Sequence, residues 1–538
     1  DMDLFYKQLN SDFIVEVTKD FLDDFNFKGI VGHNTNEIYK RFIGNTAQDF
    51  EITNFYDYSN AKSNKPEEVF YHRRLWGVFT DLGFSYKNYI FLNITGRNDW
   101  SSTLPKENNS YFYPSAMLSL VLTDAIPSIK KDWLDFVKLR ASASAVGSDE
   151  EPYQLKFDYI PYTDIVIPFQ QDGNKTPHGG QLAYFATTVL PPQNLEPQKV
   201  NSWEGGIDAD FLDNRLGIDF TYYYEIVKNQ IVNISVPPSI GFNAKNINVG
   251  AVSNRGIELK IDLTPVNTKN FDWIFSYNFY KNIEKIVELA DGVERFDYGS
   301  GFNGIEVSAR VGESRGLYGR KWKRDTLGNL IINEQTGLRE LETESTRLGD
   351  VVPDFSMGFS NSFRYKNFNL SLLIDLREGG VIYSGTVQSL RYHGMAEETT
   401  INREIDQTFI DKGVNVTYDG NGNIISSKQN TTPVENMEEF WYNYSGPAAA
   451  ESNTFDASYI KLREIRLSYK FPEKWLTKVF INTFELGVEG RNIWLIKSNV
   501  PHIDPEANLF GSGTSAEGIE MFNLPPSRSI GFNVRLTF

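Results

Sequence analysis

Apolar and polar residues alternate strictly at the C-terminal end of the chain. In residues 529–538 the apolar positions are Ile530, Phe532, Val534, Leu536 and Phe538, and the positions between them hold Ser, Gly, Asn, Arg or Thr. A period of two residues is that of a β-strand with one apolar face. The pattern therefore predicts a strand whose apolar face meets either the core of a soluble β-sandwich or lipid.

The same alternation recurs along the chain, for example in VKLRASASAV, GIELKIDL and EIRLSYKF. It predicts about 15 strands. They lie near residues 12–21, 24–34, 70–86, 89–99, 111–123, 136–147, 200–211, 216–233, 249–263, 272–288, 353–365, 368–379, 456–470, 483–495 and 528–538. Many reach ten residues, the length that crosses a bilayer, whereas strands of globular sheets usually have five or six. Strand length therefore favours lipid, rather than the core of a soluble β-sandwich, as the environment of the apolar strand faces.

The predicted connections alternate between short turns and long loops. Short turns fall at Lys87-Asn88, Asp213-Asn214 and Lys366-Asn367, and long loops at 35–69, 100–110, 148–199, 234–248, 289–352, 380–455 and 496–527. Outer-membrane barrels have this asymmetry, with short periplasmic turns and long extracellular loops. We therefore predict an all-β fold, an antiparallel transmembrane β-barrel of the outer membrane. Charged strand residues would face its aqueous interior, among them Lys138, Arg140, Glu258, Lys260, Glu464, Arg466, Glu485, Glu489 and Arg491.

Composition agrees with this prediction. The chain has 53 basic and 70 acidic residues, a formal charge of -17, which argues against nucleic acid as a partner. Aromatic residues make up 14% of the chain although the mean hydropathy is -0.38. A transmembrane barrel shows lipid only every second residue, so it can be hydrophilic on average. With no cysteine, disulfides and thiolate sites are excluded.

Several segments between residues 70 and 538 resemble, in order, the SusC/RagA-type TonB-dependent transporters. They include SYKNYIFLNITGRNDWSSTLPKENNSYFYPSAMLSLVLTD, NLEPQKVNSWEGGIDADFLDNRLGIDFTYYYEIVKNQI, GDVVPDFSMGFSNSFRYKNFNLSLLIDLREGG, FDASYIKLREIRLSYKFPEKWL, GVEGRNIWLIKSNVPHIDPEAN and PPSRSIGFNVRLTF. The resemblance implies a 22-stranded outer-membrane barrel that imports oligosaccharides, larger glycans or peptides. It also implies a SusD-like surface lipoprotein as lid and the TonB complex as energy source.

The sequence departs from that family in two places. The TonB-binding segment, the plug domain and the first strands of the barrel do not appear in it, so we interpret residues 1–538 as the C-terminal portion of the barrel domain. The strand near 12–21 should then pair with a seventh strand in the segment that this sequence lacks, and the strand at 529–538 with the first strand there. In addition, residues 324–350 lack the acidic NGDG-type turn of many relatives, so we expect no bound cation there.

No motif indicates catalysis, a cofactor or a metal. GSGFNG at 299–304 lacks the flanking strand and helix of a phosphate-binding loop. YDGNGN at 418–423 lacks the ligand spacing of a calcium loop and is better interpreted as a hairpin turn. The five histidines, His33, His72, His178, His393 and His502, are scattered without the spacing of a zinc site. We therefore expect a protein that is not an enzyme.

Candidate substrate contacts lie in the longest predicted loop, 380–455. Trp441, Tyr442 and Tyr444, together with Tyr392 and His393, offer flat faces with polar edges for sugar rings or peptide side chains. The alternative, which we favour, is that these aromatic residues pack the loop or contact the lid lipoprotein, because a loop of about 75 residues needs its own core.

Three functions are consistent with these patterns. The leading hypothesis is TonB-dependent import across the outer membrane. The alternative is a structural or secretion-associated outer-membrane barrel that acts as a scaffold for surface proteins. A soluble β-sandwich lectin or glycosidase module is the least favoured, because the long strands and one-sided loops do not suit it.

Overall fold

Strands dominate the computed structural model. It describes residues 2–21, 24–157, 159–161, 184–187, 189–192, 194–236, 238–242, 244–290, 292–300, 304–401, 403, 409–476, 480–510 and 516–538. In chain order the strands are β1 (Met2–Phe21), β2 (Phe25–Phe50), β3 (Ala61–Tyr86), β4 (Ile90–Ser101), β5 (Ser110–Val121), β6 (Leu134–Ser148), β7 (Tyr159–Pro161), β8 (Tyr184–Ala186), β9 (Val189–Leu190), β10 (Gln198–Phe211), β11 (Leu216–Ser235), β12 (Ala244–Asn267), β13 (Phe271–Glu288), β14 (Arg295–Ser300), β15 (Glu306–Arg310), β16 (Gly316–Trp322), β17 (Leu341–Asp350), β18 (Phe355–Tyr365), β19 (Phe368–Glu378), β20 (Val381–Ser384), β21 (Val414–Tyr418), β22 (Ile424–Gln429), β23 (Thr454–Asp456), β24 (Tyr459–Lys470), β25 (Thr483–Ser498), β26 (Ile519–Glu520) and β27 (Ser529–Thr537).

Helices in the described residues are short. They are α1 (Leu122–Ala125), α2 (Gly385–Tyr392), α3 (Met437–Tyr444) and α4 (Glu473–Leu476), with 3-10 turns at Tyr58–Asn60, Pro127–Ile129, Pro238–Ile240, Glu397–Thr400 and Glu451–Asn453. None of the helices in this part of the chain has the length and apolar character to cross a membrane.

Fifteen strands follow one another through a single sheet, in the order β1, β2, β3, β4, β5, β6, β10, β11, β12, β13, β18, β19, β24, β25 and β27, and β9 pairs with β12. These fifteen correspond one for one to the predicted strands. The order follows the chain because each strand pairs with the next through a turn or loop, as in an antiparallel meander. β1 has its pairing partner in β2, and β27 has its partner in β25.

The chain divides into two compact units. The first comprises Asp1–Ala125, Leu139–Gly205 and Glu225–Val252. The second comprises Ile126–Lys138, Gly206–Tyr224 and Ser253–Phe538. Within the first, β1 to β5 pair antiparallel in succession, and within the second, β13, β18, β19, β24, β25 and β27 do the same.

In the first unit, the predicted long loop at 35–69 is wrong. β2 and β3 pair continuously from Phe25–Tyr86 to Phe50–Ala61, so that only residues 51–60 connect them. β1 likewise begins at Met2, ten residues before the predicted start. Residues 34–49 lack an apolar face, because polar side chains such as Asn34, Thr35 and Asn36 occupy adjacent positions. A strand with water on both faces needs no alternation, so the periodicity could not reveal it.

The short turns form where the sequence tolerates a left-handed backbone. Lys87 and Asn88 have φ of 48° and 58°, and Lys366 has φ of 52°. Tight hairpin turns with left-handed residues match the twist of the strands they join, and Asn adopts this conformation more readily than most residues. The three predicted short turns therefore fall where the sequence placed them.

The apolar face of β27 points away from the protein. Ile530 is 72% exposed, Phe532 82%, Val534 61% and Phe538 81%. The main buried cluster of the described residues instead lies within the loops of the second unit, where Ile305, Leu317 and Ile519 are fully buried. A smaller one in the first unit comprises Leu104, Tyr111 and Leu195. An apolar strand face without a protein core behind it is what a bilayer-facing sheet requires and a soluble sandwich forbids.

Candidate functional site

Three long loops of the second unit fold together into one body, which we call the loop body: the described residues of 289–352, 380–455 and 499–528. Its main core takes Ile305, Val307 and Leu317 from the first loop, Tyr383 and Ala450 from the second, and Ile519 from the third. β20 and β23 of the second loop form a three-stranded sheet with β26 of the third. The expectation that the longest loop has its own core is therefore refined, because the core is shared among three loops.

Helices α2 and α3 of the loop body carry the predicted contact residues. Ser384 caps α2 by accepting the N–H of Val387 at 3.0 Å, and Asn436 caps α3 by accepting the N–H of Glu439 at 2.8 Å. Both are residue types that favour the N-cap position. The buried Gln388 amide of α2 donates to the carbonyl of Ser445 just after α3 at 2.6 Å. This bond fixes the C-terminal ends of the two helices against each other.

Three of the five predicted residues come together at the surface of the loop body. The rings of Tyr392 and Tyr442 stack with centroids 4.5 Å apart and an angle of 24° between planes. Tyr442 is 42% exposed and donates its hydroxyl to Glu438 at 2.6 Å. The His393 ring meets Tyr392 edge-on at 5.2 Å. The result is a paired aromatic platform with a carboxylate and an imidazole at its edge, which we call the Tyr392–Tyr442 platform.

The other two predicted residues point into the loop body. The Trp441 ring contacts Tyr444 edge-on at 5.4 Å, and Tyr444 stacks on Phe440 at 5.6 Å. The guanidinium of Arg339 lies 4.8 Å from the Tyr444 ring. Trp441 and Tyr444 therefore pack within the loop body.

An ion cluster around the buried Arg391 connects the second loop to the third. Arg391, which is 9% exposed, donates to Glu398 at 2.7 Å, and His502 of the third loop lies 3.0 Å from the same carboxylate. Burial alone would raise the pKa of Glu398, but the hydrogen bonds from Arg391 and His502 outweigh it and lower this pKa to about 2. Glu398 is thus an anion at every physiological pH, held between two loops.

A second cluster, which we call the 504–506 latch, fastens the third loop to the sheet. The ammonium of Lys461 on β24 lies 2.6 Å from Asp504 and 2.5 Å from Glu506. Arg463 on the same strand donates to Glu506 at 2.6 Å and to Asp375 on β19 at 2.6 Å. Burial opposes the charge of Glu506, yet the bonds from Arg463 and Lys461 lower its pKa to about 2.

Sequence reasoning missed both clusters. Lys461 and Arg463 follow the alternation of a strand with one polar face, but their acidic partners lie more than 40 positions away, in a loop with no periodicity. The only available signal was HIDPEAN, which concentrates two carboxylates in a short segment. Several predicted polar-face residues do form exposed ion pairs, such as Lys260 with Asp262 at 2.7 Å and Arg491 with Glu489 at 3.2 Å.

The two acidic turns of the loop body are hairpin turns. Asp419 accepts the N–H groups of Asn421 and Asn423 at 2.8 Å each and the Asn423 amide at 3.0 Å, between β21 and β22. Asp325 accepts the same bonds in the turn at 325–329. Each carboxylate is occupied by N–H donors, so the hairpin interpretation of YDGNGN is confirmed.

The remaining candidates from the sequence are the histidines and the GSGFNG segment. Across the described ranges, no group of three or more His, Asp or Glu residues is placed to hold a metal ion. His72 lies 2.7 Å from Glu37, and His33 packs on Trp76 at 5.4 Å. His178 lies outside the described residues, as do residues 301–303 of the GSGFNG segment, which joins the antiparallel strands β14 and β15.

Comparison with known proteins decides the family. A family model described as TonB dependent receptor-like, beta-barrel matches residues 4–493. The chain belongs to this family. Its apolar strand faces therefore lie in the lipid of the outer membrane.

Relatives of the chain carry receptor names. TonB-dependent receptor P3 of Formosa agariphila is 25% identical over 518 residues, which cover 90% of this chain and 48% of that relative. TonB-dependent receptor SusC of Bacteroides thetaiotaomicron is 26% identical over 459 residues, covering 80% of this chain and 41% of SusC. The resemblance to SusC/RagA-type receptors is confirmed, and the chain spans about half the length of the curated relatives it matches.

A solved structure shares the fold. The structure described as that of the RagAB peptide transporter matches with a TM-score of 0.79 at 16% identity, covering all of this chain and 56% of that one. At this identity the likeness shows the architecture, an antiparallel outer-membrane barrel wall, and leaves the substrate to be argued from the residues.

Proposed function

We propose that the chain is the C-terminal portion of the barrel domain of an outer-membrane, TonB-dependent importer of oligosaccharides, larger glycans or peptides. The family match over residues 4–493 and the half-length coverage of the relatives support this proposal. β1 is paired with β2 along one edge over its full length. Unpaired backbone groups in hydrocarbon cost on the order of several kcal/mol each, so the other edge needs a strand. A seventh strand from an amino-terminal segment would supply it, and the plug domain would lie in the same segment.

The proposed partners are a SusD-like surface lipoprotein as lid and the TonB complex on the periplasmic side. The relative named SusC and the fold shared with the RagAB transporter support these partners. Import then involves binding and release without covalent chemistry, in keeping with a family whose named members are receptors.

The observation that carries the proposal is the Tyr392–Tyr442 platform on the loop body. Aromatic faces with polar edges suit sugar rings and the side chains of peptides alike. The Glu438 carboxylate and the His393 ring border the platform and can hydrogen-bond to hydroxyl or amide groups. Trp441 and Tyr444 act as its support and do not touch substrate in this proposal.

The test uses the full-length receptor in its own cells with Tyr392→Ala and Tyr442→Ala, singly and together. Uptake of labelled oligosaccharide and peptide pools is measured, and we expect the double variant to lose at least tenfold for one of the two pools. Tyr418→Ala is the matched control, because Tyr418 is also 42% exposed but lies on the β21–β22 hairpin away from the platform. Normal uptake of both pools by the double variant would refute the assignment of the site.

The same cells separate import from the scaffold function. Deleting the receptor gene should abolish uptake of the affected pool while surface proteins stay in place. Loss of surface proteins with unchanged uptake of both pools would favour the scaffold.

A further inference from the structure

Three short turns carry the same order of residues, Lys-Asn-aromatic. They are Lys87-Asn88-Tyr89, Lys269-Asn270-Phe271 and Lys366-Asn367-Phe368. Each lies in a short connection between consecutive strands: β3 and β4, β12 and β13, and β18 and β19. Import as proposed above makes no use of them.

Two of these turns are joined directly in the second unit. The N–H of Lys366 donates to the carbonyl of Asn270 at 2.7 Å. A similar bond is made by Lys470 at the end of β24, whose N–H donates to the carbonyl of Asn367 at 2.9 Å. Main-chain bonds thus hold three lysines on three neighbouring strand ends, which we call the lysine rim.

The lysine rim is cationic in a chain whose net charge is -17. Lys269 and Lys366 are exposed, and neither forms a salt bridge within the part of the chain that the structure describes. The nearby carboxylate of Asp272 is already paired with Arg364. Two ammonium groups therefore remain available to an anion.

Exposed aromatic side chains occur beside Lys366 and in the connection that follows β24. Tyr365 is 54% exposed, Phe368 49%, Trp475 of α4 66% and Phe480 98%. The ammonium of Lys366 lies 5.4 Å from the centre of the Tyr365 ring. Aromatic rings beside cations are typical of the interface between acyl chains and headgroups.

We propose that the lysine rim binds the phosphodiester group of anionic phospholipids in the inner leaflet of the outer membrane, through Lys269 and Lys366. This rests on the orientation that places the short turns on the periplasmic side, and it does not depend on which substrate is imported. Charge complementarity selects the phosphate, and the exposed rings beside it accommodate the acyl region of the same molecule. A soluble acidic protein would match the lysines but would leave Phe368 and Trp475 without an apolar environment.

The third turn provides a control within the chain. Lys87 also lies over a tyrosine, with its ammonium 5.3 Å from the Tyr86 ring, but it is paired with Asp24 at 3.4 Å. Its charge is compensated, so it should contribute little to binding an anionic lipid.

The experiment places the full-length receptor in nanodiscs of neutral phosphatidylcholine and adds spin-labelled phosphatidylglycerol or spin-labelled phosphatidylcholine. The fraction of motionally restricted label gives the preference for the anionic lipid. A lysine at an anionic surface contributes about fivefold in affinity. Two such contributions multiply, so we expect Lys269→Gln with Lys366→Gln to lower the preference about 25-fold, and Lys87→Gln to leave it unchanged.

Two further measurements distinguish the alternatives. Replacing Lys269 and Lys366 by Arg should retain the preference, and heat-modifiable mobility on gels shows that each variant has folded. Displacement of the lipid by inorganic phosphate would indicate a general anion site and overturn the proposal. It is equally overturned if the wild-type receptor shows no preference, or if the double Gln variant keeps it. Because no transport is measured, these outcomes are independent of the import proposal.

Discussion

Removing the Lys461 ammonium should release the third loop of the loop body from the sheet. The Lys461 side chain is 7% exposed and that of Asp504 is 14% exposed, so Lys461→Ala leaves a largely buried carboxylate without its cation. Breaking a buried ion pair in this way costs about 3–5 kcal/mol. Arg463 still compensates Glu506, so we expect somewhat less than that, a reduction of about 2–4 kcal/mol in the opening free energy of residues 499–509.

Hydrogen exchange of the folded full-length receptor measures this directly. The amides of Ala507 and Leu509 donate to Asp504 and Ile519 at 3.0 and 2.7 Å, so they report opening of the segment. A loss of about 2–4 kcal/mol speeds their exchange roughly 30-fold to several hundredfold.

The control for this prediction is Lys428→Ala. Lys428 also lies 2.5 Å from a carboxylate, that of Glu334, but the two side chains are 67% and 62% exposed. Exposed pairs contribute less than about 1 kcal/mol, so exchange near β22 should change by less than about fivefold. If Lys461→Ala alters exchange no more than Lys428→Ala does, the 504–506 latch does not hold the loop and the reasoning is wrong.

Three further changes test the loop body. Because the pKa of Glu506 is lowered from 4.5 to about 2, its pairing stabilises the loop above about pH 4.5 and is lost as the pH falls toward 2, so exchange at Ala507 should accelerate across that interval. Glu520 is 1% exposed and accepts the hydroxyls of Ser384 and Thr386 at 2.5 and 2.6 Å, so Glu520→Ala should destabilise the loop body by about 1–3 kcal/mol in denaturant unfolding, and Glu520→Gln by less. Gly518 has φ of 102° and leaves no room for a Cβ beside Val351, so Gly518→Ala should lower the thermal unfolding midpoint of the loop body, whereas Gly420→Ala, in an open turn, should not.

The strand order of the sheet could be predicted because one physical constraint repeats along the chain. Each lipid-crossing strand must present an apolar face, and that face imposes a period of two that can be recognised in segments such as SIGFNVRLTF. Where the constraint ends, as in residues 34–49 of β2, the pattern ends although the strand continues. Strand existence was therefore easier to predict than strand length.

The loop body could be predicted only in part. The length of the loop at 380–455 indicated that it needs a core, and the structure shows that two other loops share this core. Aromatic composition placed Tyr392 and Tyr442 among the candidates. It could not separate these two from Trp441 and Tyr444, because exposure depends on which side of α3 faces Arg339. The partners of Lys461, Asp504 and Glu506, and one partner of Glu398, His502, lie in the third loop, and a single sequence carries no signal for contacts across such separations.

Labelling of single cysteines tests the central claim most directly, namely that this chain crosses the outer membrane with its loop body outside and its short turns in the periplasm. The chain has no cysteine of its own, so Ile425→Cys on β22 and Glu473→Cys on α4, introduced one at a time, report each side without background from residues 1–538. Both positions are exposed. The account predicts that a membrane-impermeant maleimide labels Cys introduced at 425 in intact cells and labels Cys introduced at 473 only after the outer membrane is permeabilised. Labelling of position 473 in intact cells, or protection of position 425, would contradict it.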